Sequence, residues 1–206
     1  MKTRERILAA SLMLFNEDGE AHVSTNHIAD ELNISPGNLY YHFRNKEDIT
    51  LEIFAGFRQR MEALLDAPAN RGIMDLEDVW LFLHLVYETI WEYRFLYHNL
   101  VDLTRRNRTI RRRFHRLIRK KEQAGKDLCH SLIAAGVMQA SDEEVEAVAT
   151  SMALVATYWL SFATVRADEQ GEVELAPAVY QTLSLMAPYL REPERGYLGR
   201  LAEAYR

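Results

Sequence analysis

Residues 24–46, which read STNHIADELNISPGNLYYHFRNK, decide the fold of the N-terminal part of this chain. Ser24 precedes a short run of apolar residues at helical spacing, and a serine hydroxyl is a good N-terminal cap because it accepts a backbone N–H. Asn33 marks a tight turn. Ser35 and Pro36 then repeat the start signal, a capping serine with proline at the first helical position. The stretch therefore predicts two short helices joined by a tight turn, a helix-turn-helix.

The rest of the chain is predicted to be helical almost throughout, because no segment alternates apolar and polar residues as a half-buried strand does. The first helix, Thr3 to Asn16, packs on the two short ones. The later helices are predicted over residues 46–65, 76–93, 95–103, 109–135, 142–165 and 177–188, with a break at Gly171 and a short helix or loose tail after residue 193. The predicted fold class is all-α, with an N-terminal three-helix domain (1–46) and a C-terminal helical domain (47–206).

The composition is that of an ordinary globular protein of 206 residues, 48% of them apolar and 27% charged. The single cysteine, Cys129, excludes an internal disulfide and a CxxC metal site, and it favours a reducing cytoplasm. A net charge of −5 argues against unselective coating of nucleic acids or membranes. The apolar run 7–15 has no signal cleavage site and is too short to span a bilayer. We expect a cytoplasmic protein with no membrane partner.

The helix-turn-helix residues resemble the DNA-binding domain of TetR-family transcriptional regulators. The matching stretches are Thr25–Ala29, Ile34–Phe43 and Lys46–Glu47, and Asn33 stands where the family usually has glycine. Asparagine tolerates the left-handed conformation that this turn needs. The resemblance implies a repressor that binds a palindromic double-stranded DNA operator as a homodimer and is released by a small-molecule effector. The residues expected to contact DNA are Thr25, Ser35, Gly37, Asn38, Tyr40, Tyr41, His42 and Lys46.

The chemistry of these positions supports the same expectation. Gly37 lets the backbone come close to a base edge or a phosphate. Tyr41 and His42 carry donors for phosphate, and Lys46 carries a cation. Alternatives remain open at three positions: Tyr40 could pack in the core, Thr25 could serve only as a cap, and Lys46 could be a solvated lysine.

The charge distribution leaves a question about DNA binding. Residues 1–50 have a formal charge of −3, whereas residues 104–121 contain ten arginines and lysines. The acids of the first segment, Glu20 among them, are expected on the face away from DNA. The basic block could compensate for them, but a solvated helix face with Ile110, Phe114, Leu117 and Ile118 turned inward is favoured.

Two late helices are predicted to form the dimer interface, because they carry more apolar surface than one small core needs. The resemblance implies that these helices pair with their symmetry mates, and a palindromic operator requires two recognition helices about 34–36 Å apart. Ordinary packing within one chain is the alternative. The predicted interface residues are Met152, Val155, Trp159, Val179, Leu183 and Met186.

A ligand pocket is predicted where aromatic residues concentrate. His84, Glu88, Trp91 and Phe95 recur on one helix face, and a histidine and a glutamate would be unusual in a plain core. The alternative is that this face is partly exposed. A mostly apolar pocket with few polar groups suits a small-molecule effector. The predicted lining residues are His84, Tyr87, Glu88, Trp91, Phe114, Tyr158 and Phe162.

An enzyme is not predicted, because the sequence has no catalytic triad order, P-loop, glycine-rich nucleotide turn or HExxH motif. No cofactor and no metal site are expected. Two alternatives to an effector-released repressor stay open, a metal- or redox-responsive regulator and a helical adaptor that does not bind DNA. The helix over residues 46–65 is the expected connection between the effector site and the DNA-binding residues.

Overall fold

A computed structural model of the chain describes residues 2–167 and 175–204, with side chains up to residue 200. The described residues form helices joined by short connections, which confirms the all-α fold class. The helices are α1 (Thr3–Asp18), α2 (Thr25–Glu31), α3 (Pro36–His42), α4 (Lys46–Leu65), α5 (Ala67–Asn70), α6 (Leu76–Glu92), α7 (Arg94–His98), α8 (Leu100–Arg106), α9 (Arg108–Ala134), α10 (Asp142–Arg166), α11 (Ala176–Ser184) and α12 (Glu194–Ala204).

The predicted helix starts are confirmed by their caps. The Ser24 hydroxyl accepts the His27 N–H at 3.2 Å, and the Ser35 hydroxyl accepts the Asn38 N–H at 3.2 Å. Asn33 lies between these two helices with φ 53°, the left-handed conformation predicted for the turn. Local side-chain chemistry therefore fixes the geometry of the helix-turn-helix.

Two predicted helices are wrong in length. The helix expected over residues 95–103 is two helices, α7 and α8, because the chain leaves helical geometry at Asn99, whose amide instead donates to the Phe95 carbonyl at 3.3 Å. The helix expected to reach Pro188 ends at Ser184, and a 3₁₀ turn follows over Ala187–Tyr189. Proline has no N–H and disfavours helical geometry in the residue before it. The predicted break at Gly171 lies outside the described residues.

Contacts divide the chain into two compact units. Unit 1 comprises Met1–Gln59 and Tyr93–Arg113, and unit 2 comprises Arg60–Glu92 and Phe114–Arg206. The boundaries fall inside α4 and inside α9. The predicted division at residue 46 concerns function rather than contacts, and it stays a prediction.

The core of unit 1 forms where α1, α2 and α3 pack together and α7 packs on α1. Ile28, Leu39 and Phe43 are buried as predicted, whereas Ile34 is only partly buried. Phe15 of α1 lies against Phe95 of α7, with ring centroids 5.3 Å apart. Burial of Leu39 and Phe43 fixes which face of α3 turns outward.

The core of unit 2 forms where α11 packs on both α6 and α10. Tyr87 of α6 is buried, and its hydroxyl forms a 2.6 Å hydrogen bond with that of Thr182 of α11. Among the described helices, α10 has the length and apolar composition that could cross a bilayer, and 39% of its apolar window is buried in the structure. The core helix of a soluble protein has the same length and composition.

Candidate nucleic-acid interface and effector site

The outward face of α3 carries the predicted DNA-contact residues. Gly37, Asn38 and Tyr41 are exposed, and the Tyr41 side chain is 85% exposed. The His42 ring packs edge-on against Tyr41, with centroids 5.1 Å apart. A large aromatic residue held at the surface of a short helix, next to backbone N–H groups, can contact the sugar and phosphate groups of a duplex.

Glycine at position 37 has no explanation inside the protein. A Cβ atom added there would meet only the Ser35 hydroxyl, at 3.9 Å, which is an ordinary contact. The backbone at Gly37 is helical, so conformational freedom does not require glycine either. The lack of a side chain at this exposed position therefore suits close approach by a molecule from outside.

Thr25 and Tyr40 form a pair at the same surface. Their hydroxyl oxygens lie 2.9 Å apart, and Tyr40 is about half exposed. Packing of Tyr40 in the core, one of the two alternatives for that residue, does not occur. Ser24 provides the side-chain cap of α2, so the Thr25 hydroxyl has a different partner. The hydrogen bond holds two polar side chains of neighbouring helices at the surface.

Lys46, at the start of α4, is partly buried rather than solvated. Its Nζ donates to the Glu20 carbonyl at 2.6 Å and lies 3.5 Å from the Glu20 carboxylate. The prediction for Glu20 is wrong, because this residue is buried beside Lys46 and does not lie on a remote face. Its second carboxylate oxygen accepts a 2.8 Å hydrogen bond from Arg106, and this bond raises the pKa of Arg106.

Glu20, Lys46 and Arg106 therefore form one network within unit 1, which sequence reasoning missed. One carboxylate faces two cations, so the network carries a net charge of +1. Thr50 also contacts Glu20, at 3.5 Å. The network places Lys46 in one position and leaves part of its charge available to an anion. Residues 20 and 106 are 86 positions apart, and no local signal pairs them.

The basic block follows the favoured interpretation in most positions. Arg105, Arg108 and Arg111 are exposed, and three of the four apolar residues predicted to face inward are buried; these are Ile110, Phe114 and Leu117. Ile118 is only partly buried. The last residue of the block departs from the pattern, because Lys121 is buried in unit 2.

The structure does not bring the predicted pocket residues together in one cavity. Tyr87 and Phe114 are buried, and burial raises the pKa of the Tyr87 hydroxyl. Glu88, Tyr158 and Phe162 are exposed, which is the alternative considered for this face, and His84 and Trp91 are partly buried. The pocket assignment of these residues therefore stays a prediction.

A narrow cavity of about 20 Å³ lies elsewhere inside unit 2. Helices α6, α9 and α10 provide most of its walls, with one residue each from α4 and α11. The lining residues are Leu65, Phe82, Leu83, Val86, Lys121, Ala124, Gly125, Leu128, Met152, Ala153, Ala156 and Thr182. A sequence signal for Lys121 exists, because it continues the apolar stripe of Phe114 and Leu117 toward Leu128 at helical spacing.

Most of the predicted dimer contacts are not accessible at the surface of the chain. Met152, Val179, Leu183 and Met186 are 0–4% exposed within unit 2, so their side chains have little surface left for a partner. Val155 and Trp159 are partly exposed. The exposed apolar residues of α10 form a different stripe, made up of Leu154, Tyr158, Phe162 and Val165. We call these four residues the α10 stripe.

The structure also bears on the metal and redox alternatives. Cys129 is buried, and burial raises the pKa of its thiol to about 11. The thiolate is the reactive form in redox chemistry, so this cysteine is in an unreactive environment. In the part of the chain that the structure describes, no group of three or more histidine, cysteine, aspartate or glutamate residues is placed to hold a metal ion.

An exposed recognition helix on a three-helix core, followed by a larger helical unit, defines a helix-turn-helix transcriptional regulator. Two family models match the chain. The model described as "Bacterial regulatory proteins, tetR family" covers residues 7–53, and the one described as "Bacterial transcriptional repressor" covers residues 56–198. The chain belongs to the TetR family, and it is a DNA-binding regulator rather than an enzyme.

Similar proteins agree with this assignment. A TetR-family transcriptional regulator from Marinobacter aquaeolei VT8 is 37% identical, with full coverage of both chains and a TM-score of 0.88. A transcriptional regulator from Saccharomonospora viridis, in complex with choline, shares the fold at 19% identity (92% of this chain, 98% of that one, TM-score 0.71). An HTH-type transcriptional regulator of Staphylococcus aureus is 43% identical over 49 residues, which span 24% of this chain and 26% of the relative.

Proposed function

We propose that this protein is a transcriptional repressor that binds a palindromic operator as a homodimer and leaves the operator when a small-molecule effector binds unit 2. The observation that carries the proposal is the outward face of α3, where exposed Gly37, Asn38 and Tyr41 lie on a rigid three-helix core. In this proposal α3 enters the major groove and its residues reach base edges and phosphates. The protein works in the cytoplasm, where its DNA lies.

Lys46 is the proposed phosphate contact. A solvated lysine loses side-chain entropy when it is fixed on a phosphate, whereas Lys46 is already positioned by its contacts with Glu20. Arg106 shares the Glu20 carboxylate and so limits the neutralisation of Lys46. The pair Thr25–Tyr40 and the side chain of His42 are proposed to complete the contacts with the DNA backbone.

The α10 stripe is the proposed dimer interface, in place of the four buried residues. Val165 is 88% exposed and Phe162 is 54% exposed, and a contiguous apolar surface of this kind indicates an interaction site. Val155 and Trp159 adjoin the stripe and stay in the proposal. The buried Trp159 indole N–H has no hydrogen-bond acceptor among the described residues, so a partner chain could supply one. TetR-family regulators typically act as dimers.

The effector is proposed to act through α4. This helix carries Lys46 at its first residue and Leu65 at its last, and Leu65 lines the cavity in unit 2. A ligand that binds only a widened cavity selects the conformation in which the cavity is open. If that conformation holds the two recognition helices at the wrong spacing, operator affinity falls, and by linkage the operator lowers effector affinity by the same factor.

The proposed role of Lys46 is tested by the salt dependence of operator binding. We expect Lys46→Ala to weaken binding to all DNA sequences and to reduce the slope of log affinity against log salt by about one, because one phosphate contact is lost. The measurement is a gel shift on the upstream region of the protein's own gene at several salt concentrations.

Lys126→Ala is the matched control for this experiment. Lys126 and Lys46 have side chains that are both 26% exposed and both paired with a glutamate, but Lys126 lies in α9 of unit 2. The control should keep the wild-type slope. If Lys46→Ala leaves affinity and slope unchanged, Lys46 does not contact phosphate, and the absence of any shift at low salt would reject operator binding itself.

A further inference from the structure

Lys121 is a lysine buried at the centre of unit 2. Its residue surface is 5% exposed, and its Nζ donates to the Ala156 carbonyl at 3.2 Å and to the Thr157 hydroxyl at 3.3 Å. Both acceptors are neutral oxygens of α10. The Thr157 hydroxyl in turn donates to the Ala153 carbonyl at 2.7 Å. A lysine on α9 is thus directed at the backbone of α10, in the interior of the unit.

The cavity beside Lys121 is apolar apart from two groups. Lys121 is the one charged side chain among its lining residues, and no carboxylate lines it. The Thr182 hydroxyl also lines it, but this group is already bonded to Tyr87 and to the Ala178 carbonyl. Aliphatic and aromatic groups from four helices complete the walls. The cavity volume of about 20 Å³ is room for roughly one water molecule.

A buried lysine in this environment is costly for the fold. Burial lowers the pKa of Lys121 from 10.5 to about 7, which shows how strongly the interior disfavours the ammonium form. An apolar side chain of similar volume would avoid this cost. A charge that packing does not require, placed at a cavity inside the ligand-binding part of a regulator, has the features of a binding site.

We propose that Lys121 binds the anionic group of the effector, and that the effector is an apolar monocarboxylate. The carboxylate replaces neutral oxygens as a partner of Nζ, and the hydrocarbon part lies among Phe82, Leu83 and Leu128. One lysine neutralises one negative charge, and the lining holds no second cation for a phosphate dianion. A cationic ligand such as choline is disfavoured by the same charge. The inference rests on the proposed function, because it specifies the ligand of its effector site.

The small size of the cavity explains how such a ligand could act. A carboxylate with a chain of several carbons is much larger than the 20 Å³ available, so it binds only when α6, α9 and α10 move apart around it. A ligand that binds one conformation and not the other shifts the population between them. The tight contact at Gly125, where an added Cβ would lie 3.1 Å from Ala149, shows that α9 and α10 are closely packed before this movement.

The test uses the full-length protein and probes matched in chain length. Decanoate, decanol and decyltrimethylammonium, each below its micellar concentration, are titrated by calorimetry and by fluorescence of the tryptophans of unit 2, Trp80, Trp91 and Trp159. We expect decanoate to bind at least about tenfold more tightly than decanol, because a hydrogen-bonded charge adds to the apolar contacts. The cation should bind more weakly than both.

Two variants assign this preference to Lys121. Lys121→Met keeps the length and apolar character of the side chain and should abolish the preference for decanoate, while decanol still binds. Lys126→Met, which removes a lysine of α9 that pairs with Glu146, should keep the preference. Lys121→Arg retains the charge and covers the case in which Lys121→Met fails to fold. The inference is overturned if wild-type protein shows no preference for decanoate, or if Lys121→Met retains it.

A separate readout distinguishes this inference from the proposed function. Operator binding is measured by gel shift with and without decanoate, and decanoate should release the operator from wild-type protein but not from Lys121→Met. If the operator binds and decanoate does not, only the ligand assignment fails. If decanoate binds through Lys121 but no operator can be found, the regulatory proposal fails while the site remains.

Discussion

Replacing Lys121 by methionine is expected to stabilise the unliganded protein at neutral pH. Methionine is unbranched and close to lysine in length, so it can fill the same space among the apolar residues of unit 2. The substitution removes a buried amine whose charged form the interior disfavours. Most core substitutions destabilise a protein, so a gain in stability here would be a specific signature of the buried charge.

The magnitude follows from the pKa of Lys121. A fall from 10.5 in the unfolded chain to about 7 in the folded one corresponds to at most about 5 kcal/mol of cost when the amine is charged. Loss of the hydrogen bonds to Ala156 and Thr157 offsets part of the gain. Replacements of buried ionic groups by apolar ones gain about 1–4 kcal/mol, and we expect a gain in this range at pH 7.

The sign of the pH dependence is fixed by the same values. Between pH 7 and 10.5 the unfolded chain binds a proton at Lys121 that the folded chain does not, so the stability of the wild-type protein relative to the variant rises with pH. The advantage of Lys121→Met is therefore largest below about pH 7 and disappears as the pH approaches 10.5. Other groups titrate in both proteins and cancel in the difference.

Urea unfolding followed by circular dichroism measures this effect. The free energy of unfolding of wild type, Lys121→Met and Lys126→Met is compared at pH 6.5, 8 and 9.5. The Lys126 variant loses a surface pair with Glu146 and should change by at most about 1 kcal/mol at every pH. A Lys121→Met protein that is less stable than wild type at pH 6.5, or a difference that does not depend on pH, would refute the reasoning.

Two further predictions concern the proposed dimer and the network of unit 1. Phe162→Glu should raise the dimer dissociation constant at least about tenfold in sedimentation experiments without unfolding the chain, because Phe162 is exposed; Thr150→Glu, at an exposed polar position of the same helix, should not, and a dimer unchanged by Phe162→Glu would exclude the α10 stripe. Arg106→Gln should weaken operator binding about tenfold, because Glu20 then pairs with the phosphate-contacting lysine alone; in a Glu20→Gln background the same change should have little effect, and equal effects in both backgrounds would contradict the network.

The sequence by itself determined the elements that depend on neighbouring residues. Ser24, Ser35 and Asn33 specify two helix starts and the turn between them, because a capping hydroxyl and a left-handed residue act within a few positions. The motif around these residues also identified the family. Helix ends were less certain, as the break at Asn99 shows, because a local side-chain bond there competes with a continuous helical pattern.

Only the tertiary structure decided which helix faces are covered and which distant charges meet. The apolar residues of α10 have helical periodicity on more than one face, and it is packing of α11 that buries Met152 and leaves Phe162 exposed. Glu20 reaches Arg106 across 86 positions, and Lys121 lies in an apolar interior although it ends a basic block. Periodicity tells which residues share a face, but the neighbour that covers that face is set by contacts far apart in the chain.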